Sequence, residues 1–506
     1  MAENAKFGYV YDEGMLLHRC NYDSTMLECP QRIQIIYERL LRDGLLIDAQ
    51  KIQSRKAEDW ELLLNHPQEL IDSLEDLNLD EECEEFCRGY ELLWLCPQSV
   101  DAARIAVGST IDMLKANING LIGNGFAIIR PPGHHSYSNQ PQAYCIFNTT
   151  AIVAKYAVEK LHLKRVLIID IDYHCGNGTY QSLKNDNRFL FINFHAYHYG
   201  ASWPFDSEYD YDSSATNHIS IPLNAAMNNE FDYMAALYII VMPLAKEFAP
   251  ELVLISAGFD AAYCDQIVEL DSFGQAIKAH GYGHIARLLD EHWPNKVLAI
   301  LEGGYLPESY AECASQLTRG LQGASLPNIA HQKSLNTCMV ETIWSGLCHH
   351  SKRWESAAVM LSRLQQQQMH NNLPIYAPPS ERVFVGRKFR LIWNRIKEFR
   401  VARTRGWIQL EEATASNGSK YNDAVNRINA YIMEYDYTSQ RDDLNEETFI
   451  KRMLWTPSSA SEAFLLSAPA TLYFYNAMEQ CLNDDTSKYL IVDMATLNGV
   501  QRNISS

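Results

Sequence analysis

Two carboxylates and an imidazole occupy alternate positions of the segment Asp170–His174, which reads DIDYH. In an extended chain alternate side chains share one face, so Asp170, Asp172 and His174 should be presented together. Asp260, at the end of the run GFD, could supply a further ligand and leave an open position for water and substrate, as catalytic zinc sites require. This oxygen-rich set is also compatible with iron or manganese. A capped strand end without metal is the structural alternative for the DxDxH pattern alone.

Residues suited to proton transfer and to hydrogen bonding occur in two further motifs. His134 and His135 follow Arg130–Gly133, where two prolines and a glycine restrict the backbone. Imidazole is the side chain that titrates nearest to neutral pH, so the pair indicates general acid–base catalysis beside the metal. Tyr305 follows two glycines at the end of another apolar run, and its phenol could donate a hydrogen bond to a developing oxyanion. Packing is the alternative role for that tyrosine.

Five short apolar runs, each ending in polar or glycine-rich residues, must position these side chains: FAIIRPPGHH, RVLIIDIDYH, FLFINFH, ELVLISAGFD and KVLAILEGGY. Such runs are typical of buried parallel strands. Segments with helical spacing lie between them, namely AIVAKYAVEKLHL, FDYMAALYIIVMPLAKEFAP and SFGQAIKAHGYGHIARLLDEHW. The alternation predicts an α/β fold with a single parallel sheet and helices on both faces. Ligands of such sheets bind beyond the carboxyl ends of the strands. Eight candidate residues lie there: His134, His135, Asp170, Asp172, His174, His195, Asp260 and Tyr305.

Composition and charge narrow the class of protein. A chain of 506 residues suits one large domain plus an extension. The 62 Asp and Glu outnumber the 43 Lys and Arg, and the net charge of −19 disfavours direct binding of nucleic acid and favours a basic partner. The 12 cysteines form no CxxC pair, which indicates reduced thiols in an intracellular protein. We find neither a signal-peptide pattern nor an apolar stretch of about 18 residues, so we expect no membrane span and residence in the nucleus, the cytoplasm or both.

The motifs RPPGHH, DIDYHCGNGT, SAGFDAAYCD and LEGGY, in this order and at these separations, resemble the class II zinc-dependent histone deacetylases. The similarity runs from about Gly8, through YDEGMLLH and PQRI, to about Trp354. It implies the arginase/deacetylase α/β fold, in which loops at the edge of one parallel sheet form a narrow tunnel to the metal. We therefore predict a catalytic domain over residues 5–360. The C-terminal extension, residues 361–506, is predicted to mix helix and loop and packs on that domain.

The resemblance implies a chemical role for the matching residues. Asp172, His174 and Asp260 match the zinc ligands of the family. The implied reaction is metal-assisted hydrolysis of an acetyl amide, in which His135 takes a proton from water and later returns one to the departing amine. Tyr305 matches the tyrosine that stabilises the tetrahedral oxyanion, a position where class IIa proteins carry His.

Two further residues match those that hold the histidine pair. Asp170 would accept a hydrogen bond from His134, the second and electrostatic histidine. Asn177 takes the place facing His135 where class I proteins carry Asp, which favours class II. The resemblance also implies a structural potassium ion in addition to Zn²⁺. Its ligands would come from Asp170, Asp172, His174, Asn193 and Phe194.

The predicted substrate tunnel departs from the family pattern. Where the family usually has Gly-Phe-Cys, this chain has Ala143–Cys145, and where a tunnel Phe precedes Pro it has Trp203. Ile267 occupies the gate position that is Glu in acetylpolyamine deacetylases, although Glu269 is near. The tunnel walls are therefore predicted to be atypical. Their residues would be Ala143, Tyr144, Trp203 and Ile267.

The implied substrate is the N6-acetyl-lysine of histone tails or other proteins, which points to regulation of chromatin and transcription. Two alternatives remain open: an acetylpolyamine deacetylase, which the acidic surface would suit, and a catalytically weak acetyl-lysine-binding scaffold in a multiprotein complex. The segment Arg387–Arg405 has the spacing of a helix with one apolar and one cationic face. It would pack on the core or dock a partner of such a complex. Tyr435–Glu447 is predicted to be a loop, and His349 and His350 are expected at the surface.

Overall fold

In a computed structural model, the described residues are 6–24, 26–224, 228–265, 275–378 and 444–454, with the single residues 384, 426, 429 and 435. Eight strands form one sheet in the order β2-β1-β3-β8-β7-β4-β5-β6, and every neighbouring pair is parallel. The five apolar runs form β3, β4, β5, β7 and β8, as predicted. The strand bounds are β1 Lys6–Val10, β2 Gln50–Lys51, β3 Ile122–Ala127, β4 Val166–Asp170, β5 Phe189–Ala196, β6 His218–Leu223, β7 Leu252–Ala257 and β8 Val297–Leu301.

The six strands from β3 to β8 are buried at every residue. Complete burial requires cover on both faces of the sheet, because a strand with one solvated face would alternate between buried and exposed residues. Parallel strands also need long crossover connections, which helices provide here. The predicted fold class, a single parallel sheet flanked by helices, is confirmed.

The helices span the connections between strands and continue beyond β8. None of those in the described ranges is both long and apolar enough to cross a bilayer. The α-helices cover Gln31–Arg42, Asp59–Leu62, Gln68–Glu75, Asp80–Cys87, Ser99–Ile118, Thr149–Glu159, Asn177–Leu183, Glu230–Ala236, Met242–Phe248, Ala279–His292, Pro307–Leu321, Thr337–His350, Glu355–His370 and Glu446–Arg452; 3₁₀ turns cover Glu13–Leu17, His198–Gly200 and Ser207–Tyr209.

Two predicted helical segments differ from the structure. The segment FDYMAALYIIVMPLAKEFAP contains a π-helical turn, Leu237–Val241, between two α-helices. Pro243 lies at the start of the second α-helix. Proline has no N–H to donate and disturbs the preceding turn, so a wider turn at this point is physically reasonable. The other segment becomes helical only at Ala279, and its first residues, 272–274, lie outside the described residues.

His350 is buried in the last turn of the helix Thr337–His350, so its expected surface position is wrong. Burial lowers the pKa of this imidazole to about 3. The apolar surroundings, contributed by residues distant in sequence, were not visible in a two-residue motif. All cysteines in the described part of the chain are free, and most of them are buried.

Part of the predicted extension packs on the hydrophobic core around the sheet. Tyr376, Phe449 and Ile450 belong to the same hydrophobic cluster as the strands. The Trp344 indole donates a hydrogen bond of 3.0 Å to the carbonyl of Met453. Residues 446 and 447 begin a helix, so the loop predicted over Tyr435–Glu447 is wrong at its end. Residues 436–443 and the segment Arg387–Arg405 lie outside the described residues. The division into domains at residue 360 stays a prediction.

Candidate metal centre and active site

The predicted metal ligands lie at the carboxyl ends of two adjacent central strands, β4 and β7. The chain leaves β4 at Asp170, and the next four residues form a turn rather than continued strand. Within that turn the Asp170 carboxylate accepts a hydrogen bond from the Asp172 N–H at 3.1 Å, and Asp172 accepts one from the His174 N–H at 2.8 Å. Side-chain to backbone bonds of this kind stabilise turns. The alternating side chains therefore lie close together as predicted, but in a turn and not in the extended chain that was expected.

Asp172, His174 and Asp260 bring one ligand atom each to within 4.8 Å of one another. Nδ1 of His174 lies 2.9 Å from Oδ2 of Asp260 and 3.3 Å from Oδ1 of Asp172. Both carboxylates are buried, whereas the side chain of His174 is 27% exposed, so one side of the group is accessible. A Cβ on Gly258 would lie 1.9 Å from the Asp172 carboxylate, and so only glycine permits this close approach.

The electrostatics of this group favour a cation between the carboxylates. Burial alone would lower the pKa of His174, but its hydrogen bonds to Asp172 and Asp260 outweigh burial and raise it to about 10. A proton is therefore retained where two buried carboxyl groups converge. A divalent metal ion can take the place of that proton, since metal binding and ligand protonation compete. Two carboxylates and one imidazole in such an arrangement fit Zn²⁺.

The histidine pair lies beside the ligand group with its two rings 4.0 Å apart. Nδ1 of His134 lies 3.0 Å from the Asp170 carboxylate, and Nδ1 of His135 lies 2.8 Å from Oδ1 of Asn177. An amide oxygen only accepts, so Nδ1 of His135 carries the proton and Nε2 is free to accept one. Both contacts match the predicted pairings.

The two histidines have opposite pKa shifts. Burial lowers the pKa of His135 well below its ordinary value, and the neighbouring charges of His134 and His174 lower it further. Burial also opposes protonation of His134, but the carboxylates of Asp172, Asp170 and Glu302 outweigh it and raise that pKa well above its ordinary value. These directions favour a neutral His135, which can act as a base, and a protonated His134 beside the carboxylates. Opposite shifts of neighbouring groups are the usual sign of separate acid and base roles.

Glu302 was not identified from the sequence, although it directly precedes the two glycines of the LEGGY motif. It is buried, and its Oε2 accepts hydrogen bonds from the backbone N–H groups of Gly133 at 2.7 Å and His134 at 3.1 Å. Glu302 thus anchors the turn that carries the histidine pair. Cys145 joins His134 and Glu302 in a second group of possible ligands, but burial raises the pKa of its thiol well above the ordinary value.

Tyr305 follows β8 and is 8% exposed. The Arg32 guanidinium lies 5.1 Å from its ring centroid, and the Tyr144 ring lies 6.0 Å away. Burial raises the pKa of the Tyr305 phenol well above its ordinary value, although Arg32 opposes the shift. The phenol therefore stays protonated at neutral pH and can donate a hydrogen bond. Arg32 also donates to the carbonyl of Gly304 at 2.7 Å. It lies in the PQRI motif, but sequence reasoning gave it no role.

Two predicted tunnel residues contact the site directly. The Trp203 ring packs edge to face on His135 with centroids 4.8 Å apart, and Tyr144 lies beside Tyr305. Ala143 is next to Tyr144 in the chain, whereas Ile267 lies outside the described residues. The position of these side chains supports a tunnel wall, and their effect on its shape stays a prediction.

Ala143 and Tyr144 have left-handed backbone conformations, with φ of +44° and +66°. Their N–H groups donate to the carbonyls of Glu91 at 3.2 Å and Leu92 at 3.0 Å, which hold the two residues in place. A non-glycine residue in the left-handed region costs about 1–2 kcal/mol. The structure thus stores strain at the position where the family usually has glycine.

Ala143→Gly is therefore expected to stabilise the protein by about 1 kcal/mol, because glycine accepts a positive φ without a steric cost. Thermal unfolding of the purified protein measures the effect as a rise in Tm. Ala358→Gly is the control, since Ala358 lies within the helix Glu355–His370. This substitution should lower the free energy of unfolding by about 1 kcal/mol. A fall in Tm for both variants would contradict the strain at Ala143.

The predicted potassium site contains an unsatisfied oxygen. Asn193 is paired with Asp170 across β4 and β5, and its Nδ2 donates to the Cys175 sulfur at 3.2 Å. Its Oδ1 is buried and has no hydrogen-bond partner among the described residues. Phe194, the next residue of β5, is also buried. A buried amide oxygen without a donor is suited to a cation with oxygen ligands.

His66 makes hydrogen bonds to both ends of the loop that carries Ala143 and Tyr144. Its Nε2 accepts a hydrogen bond from the Asn148 backbone N–H at 2.9 Å, so Nδ1 carries the proton and donates to the carbonyl of Ser138, also at 2.9 Å. Burial lowers the pKa of His66 from 6.5 to about 4. Protonation of Nε2 would remove the acceptor for Asn148.

Because the pKa of His66 is lower in the folded protein than in the unfolded chain, its contribution to stability is lost as the pH falls from about 6.5 towards 4, by up to about 3 kcal/mol. We expect the Tm difference between wild type and His66→Phe to be largest near pH 7.5 and to shrink by pH 4.5. Other titrating groups are common to both proteins and cancel in the difference. A difference that is constant over this range would contradict the assignment.

His195, expected at the rim of the sheet, lies inside β5 and is fully buried. Its ring is 6.1 Å from that of Tyr197, and it belongs to neither group of possible metal ligands. The strand continues to Ala196, so the carboxyl end of β5 lies beyond His195. Its apolar surroundings lower the pKa of the imidazole to about 4, which suits a neutral structural residue.

Comparisons with known proteins agree with this geometry. The histone deacetylase domain family matches residues 26–321. Human polyamine deacetylase HDAC10 is 31% identical over 367 residues, which cover 71% of this chain and 53% of that protein. Histone deacetylase 5 of Arabidopsis thaliana is 31% identical, with coverage of 71% and 55%, and histone deacetylase HDA1 of Candida albicans is 32% identical, with coverage of 63% and 41%.

The fold is also similar to a solved structure. The crystal structure of the HDA15 HD domain has a TM-score of 0.64 and 27% identity to this chain, and the match covers 72% of this chain and 99% of that one. The chain spans about half the length of the curated relatives HDAC10 and histone deacetylase 5. Since the family match covers more than half of the chain and includes the ligand group, the histidine pair and Tyr305, the chain belongs to the histone deacetylase family.

Proposed function

We propose that the protein is a zinc-dependent deacetylase that hydrolyses N6-acetyl-lysine in proteins and releases acetate. The observation that carries this proposal is the pairing of a compact ligand group, Asp172, His174 and Asp260, with a base, His135, whose ring lies beside that of His174. The ring centroids of His135 and His174 are 5.8 Å apart in an edge-to-face arrangement, so the base lies directly beside the ligand group. Membership of the deacetylase family supports the reaction class.

The residues of the chain have distinct tasks in this reaction. A bound Zn²⁺ would act as a Lewis acid on the acetyl carbonyl and would acidify a water molecule. Nε2 of His135 would take a proton from the attacking water and later deliver one to the departing amine, with its ring oriented by Asn177. His134, whose ring is oriented by Asp170, would supply positive charge. Tyr305 donates a hydrogen bond to the oxyanion.

We further propose a structural potassium site formed by Asp170, Asp172, His174, Asn193 and Phe194. The unsatisfied Oδ1 of Asn193 supports this assignment. An ion held by these residues would stabilise the turn after β4. Activity in potassium buffer should therefore exceed activity in buffer with a bulky organic cation.

Acetyl-lysine suits this site because its long apolar side chain can pass between aromatic residues while its amide reaches His135. Tyr144 and Trp203 lie beside Tyr305 and His135 respectively and would cover that stem. We propose a class II enzyme on the strength of Asn177, which faces His135, and a role in the nucleus or cytoplasm in regulation of chromatin and transcription. The C-terminal region would recruit a multiprotein complex.

An acetylpolyamine substrate is the second candidate, and the similarity to human polyamine deacetylase HDAC10 favours it. The net charge of −19 would also attract a polycation. Turnover of acetylated histone peptides, acetylated tubulin and acetylspermidine by the zinc-loaded full chain separates the candidates. We expect kcat/KM for an acetyl-lysine substrate to exceed that for acetylspermidine by at least about tenfold. The reverse order would establish the polyamine activity, and binding without turnover would establish a scaffold.

A further inference from the structure

Asp265 holds the backbone of Tyr305. Its Oδ2 accepts hydrogen bonds from the N–H groups of Tyr305 at 2.6 Å and Leu306 at 3.1 Å. Asp265 is fully buried, so neither bond competes with solvent. These two N–H groups directly precede the helix Pro307–Leu321, whose N-terminus favours a negative charge. One carboxylate oxygen therefore fixes the tyrosine backbone and the start of the following helix.

The arrangement is rigid on both sides of this contact. The N–H of Asp265 donates to the carbonyl of Ala262 at 3.0 Å, which closes a turn in the segment that follows β7 and carries Asp260. On the other side, Gly304 has φ of +114°, and a Cβ at that position would lie 2.9 Å from Cβ of Phe259. The glycine allows the chain to turn so that the N–H of Tyr305 points at Asp265.

We propose that Asp265 is a positioning residue that sets the place of the Tyr305 phenol relative to the metal ligands; this inference rests on the proposed deacetylase function. Asp265 follows Asp260 by five residues, so one short segment carries both a proposed metal ligand and the side chain that holds the backbone of the tyrosine. A hydrogen bond to an oxyanion depends steeply on distance and angle. A displaced backbone at Tyr305 would weaken that bond while leaving substrate binding largely intact.

The competing interpretation is that Asp265 only stabilises the helix Pro307–Leu321. Asp232 provides a matched comparison, because it is also buried and accepts two backbone hydrogen bonds, from Asn336 at 2.7 Å and Asn229 at 3.0 Å. Asp265→Ala and Asp232→Ala should therefore have similar effects on Tm. Only the former removes a contact to Tyr305.

A double-mutant cycle of Asp265→Ala with Tyr305→Phe tests the proposal on the zinc-loaded full chain. Alone, Asp265→Ala should lower kcat for an acetyl-lysine peptide by about 10- to 100-fold, with KM nearly unchanged. In the Tyr305→Phe background, Asp265→Ala should lower kcat by less than about threefold, because the hydrogen bond from the phenol to the oxyanion is already absent. Asp265→Asn, which keeps an acceptor oxygen, should recover most of the lost kcat. Asp232→Ala should change kcat by the same factor in the wild-type and Tyr305→Phe backgrounds.

Hydrogen exchange of the peptide covering residues 303–309 gives a readout that does not need activity. In Asp265→Ala the amides of Tyr305 and Leu306 should exchange at least about tenfold faster than in wild type, whereas Asp232→Ala should leave them unchanged. Unchanged exchange, or an equal loss of kcat in both tyrosine backgrounds, would overturn the positioning role. If wild type lacks deacetylase activity but the exchange rates change as expected, the proposed function fails while the contact from Asp265 to Tyr305 stands.

Discussion

Replacing Tyr305 with Phe is expected to lower kcat for acetyl-lysine by about 10²- to 10³-fold, the usual loss for one oxyanion donor. The phenol adds little to the binding of a neutral amide but donates to an oxygen that becomes anionic in the transition state. The ring is retained, so its contacts with Arg32 and Tyr144 should persist. Zinc content and Tm should therefore stay near the wild-type values, and KM should change little. Steady-state kinetics with metal analysis measures all three.

Tyr282→Phe is a suitable control for this experiment. Its ring is fully buried against Phe259, and its hydroxyl has no hydrogen-bond partner among the described residues. Removal of that hydroxyl should leave kcat unchanged. Tyr305→Phe should lower kcat less for trifluoroacetyl-lysine than for acetyl-lysine, because the trifluoroacetyl carbonyl is more electrophilic. Equal kcat for wild type and Tyr305→Phe on acetyl-lysine, with equal binding, would favour the scaffold and exclude the catalytic role.

Removing a metal ligand should have an even larger effect. Asp172→Ala and Asp260→Ala each delete one of three side chains whose ligand atoms lie within 4.8 Å. Purified wild type should contain about one zinc per chain, and both variants should lose bound zinc and measurable turnover. The remaining carboxylate and His174 would form an ion pair rather than a chelating site.

Asp232→Asn is the control for metal loss, because Asp232 is a buried carboxylate outside the ligand group. It should lower Tm without changing the zinc content. Elemental analysis after gel filtration in metal-free buffer measures zinc per chain, and thermal unfolding with and without added zinc measures the linkage between metal and stability. Full activity of a metal-free preparation would contradict the zinc-dependent mechanism.

The amino-acid sequence determined the fold class and the composition of the site. The centres of two runs, VLII in RVLIID and LVLI in ELVLISA, are apolar at every position, which is typical of strands that are covered on both faces. Their polar ends had to meet at one edge of a parallel sheet, which placed Asp172 and Asp260 together. The family motifs then supplied the expected partners of His134 and His135, and the distances to Asp170 and Asn177 agree with them.

Only the tertiary structure decided which distant residues support this site. Glu302, Arg32 and Asp265 act through backbone N–H or carbonyl groups, and such contacts leave no spacing pattern in the sequence. The burial of His350 depends likewise on packing between elements distant in the chain. Local patterns reflect the period of a strand or helix, whereas the partner of a buried charge is set by how those elements pack. The chemistry could therefore be predicted from the sequence, and the network that positions it could not.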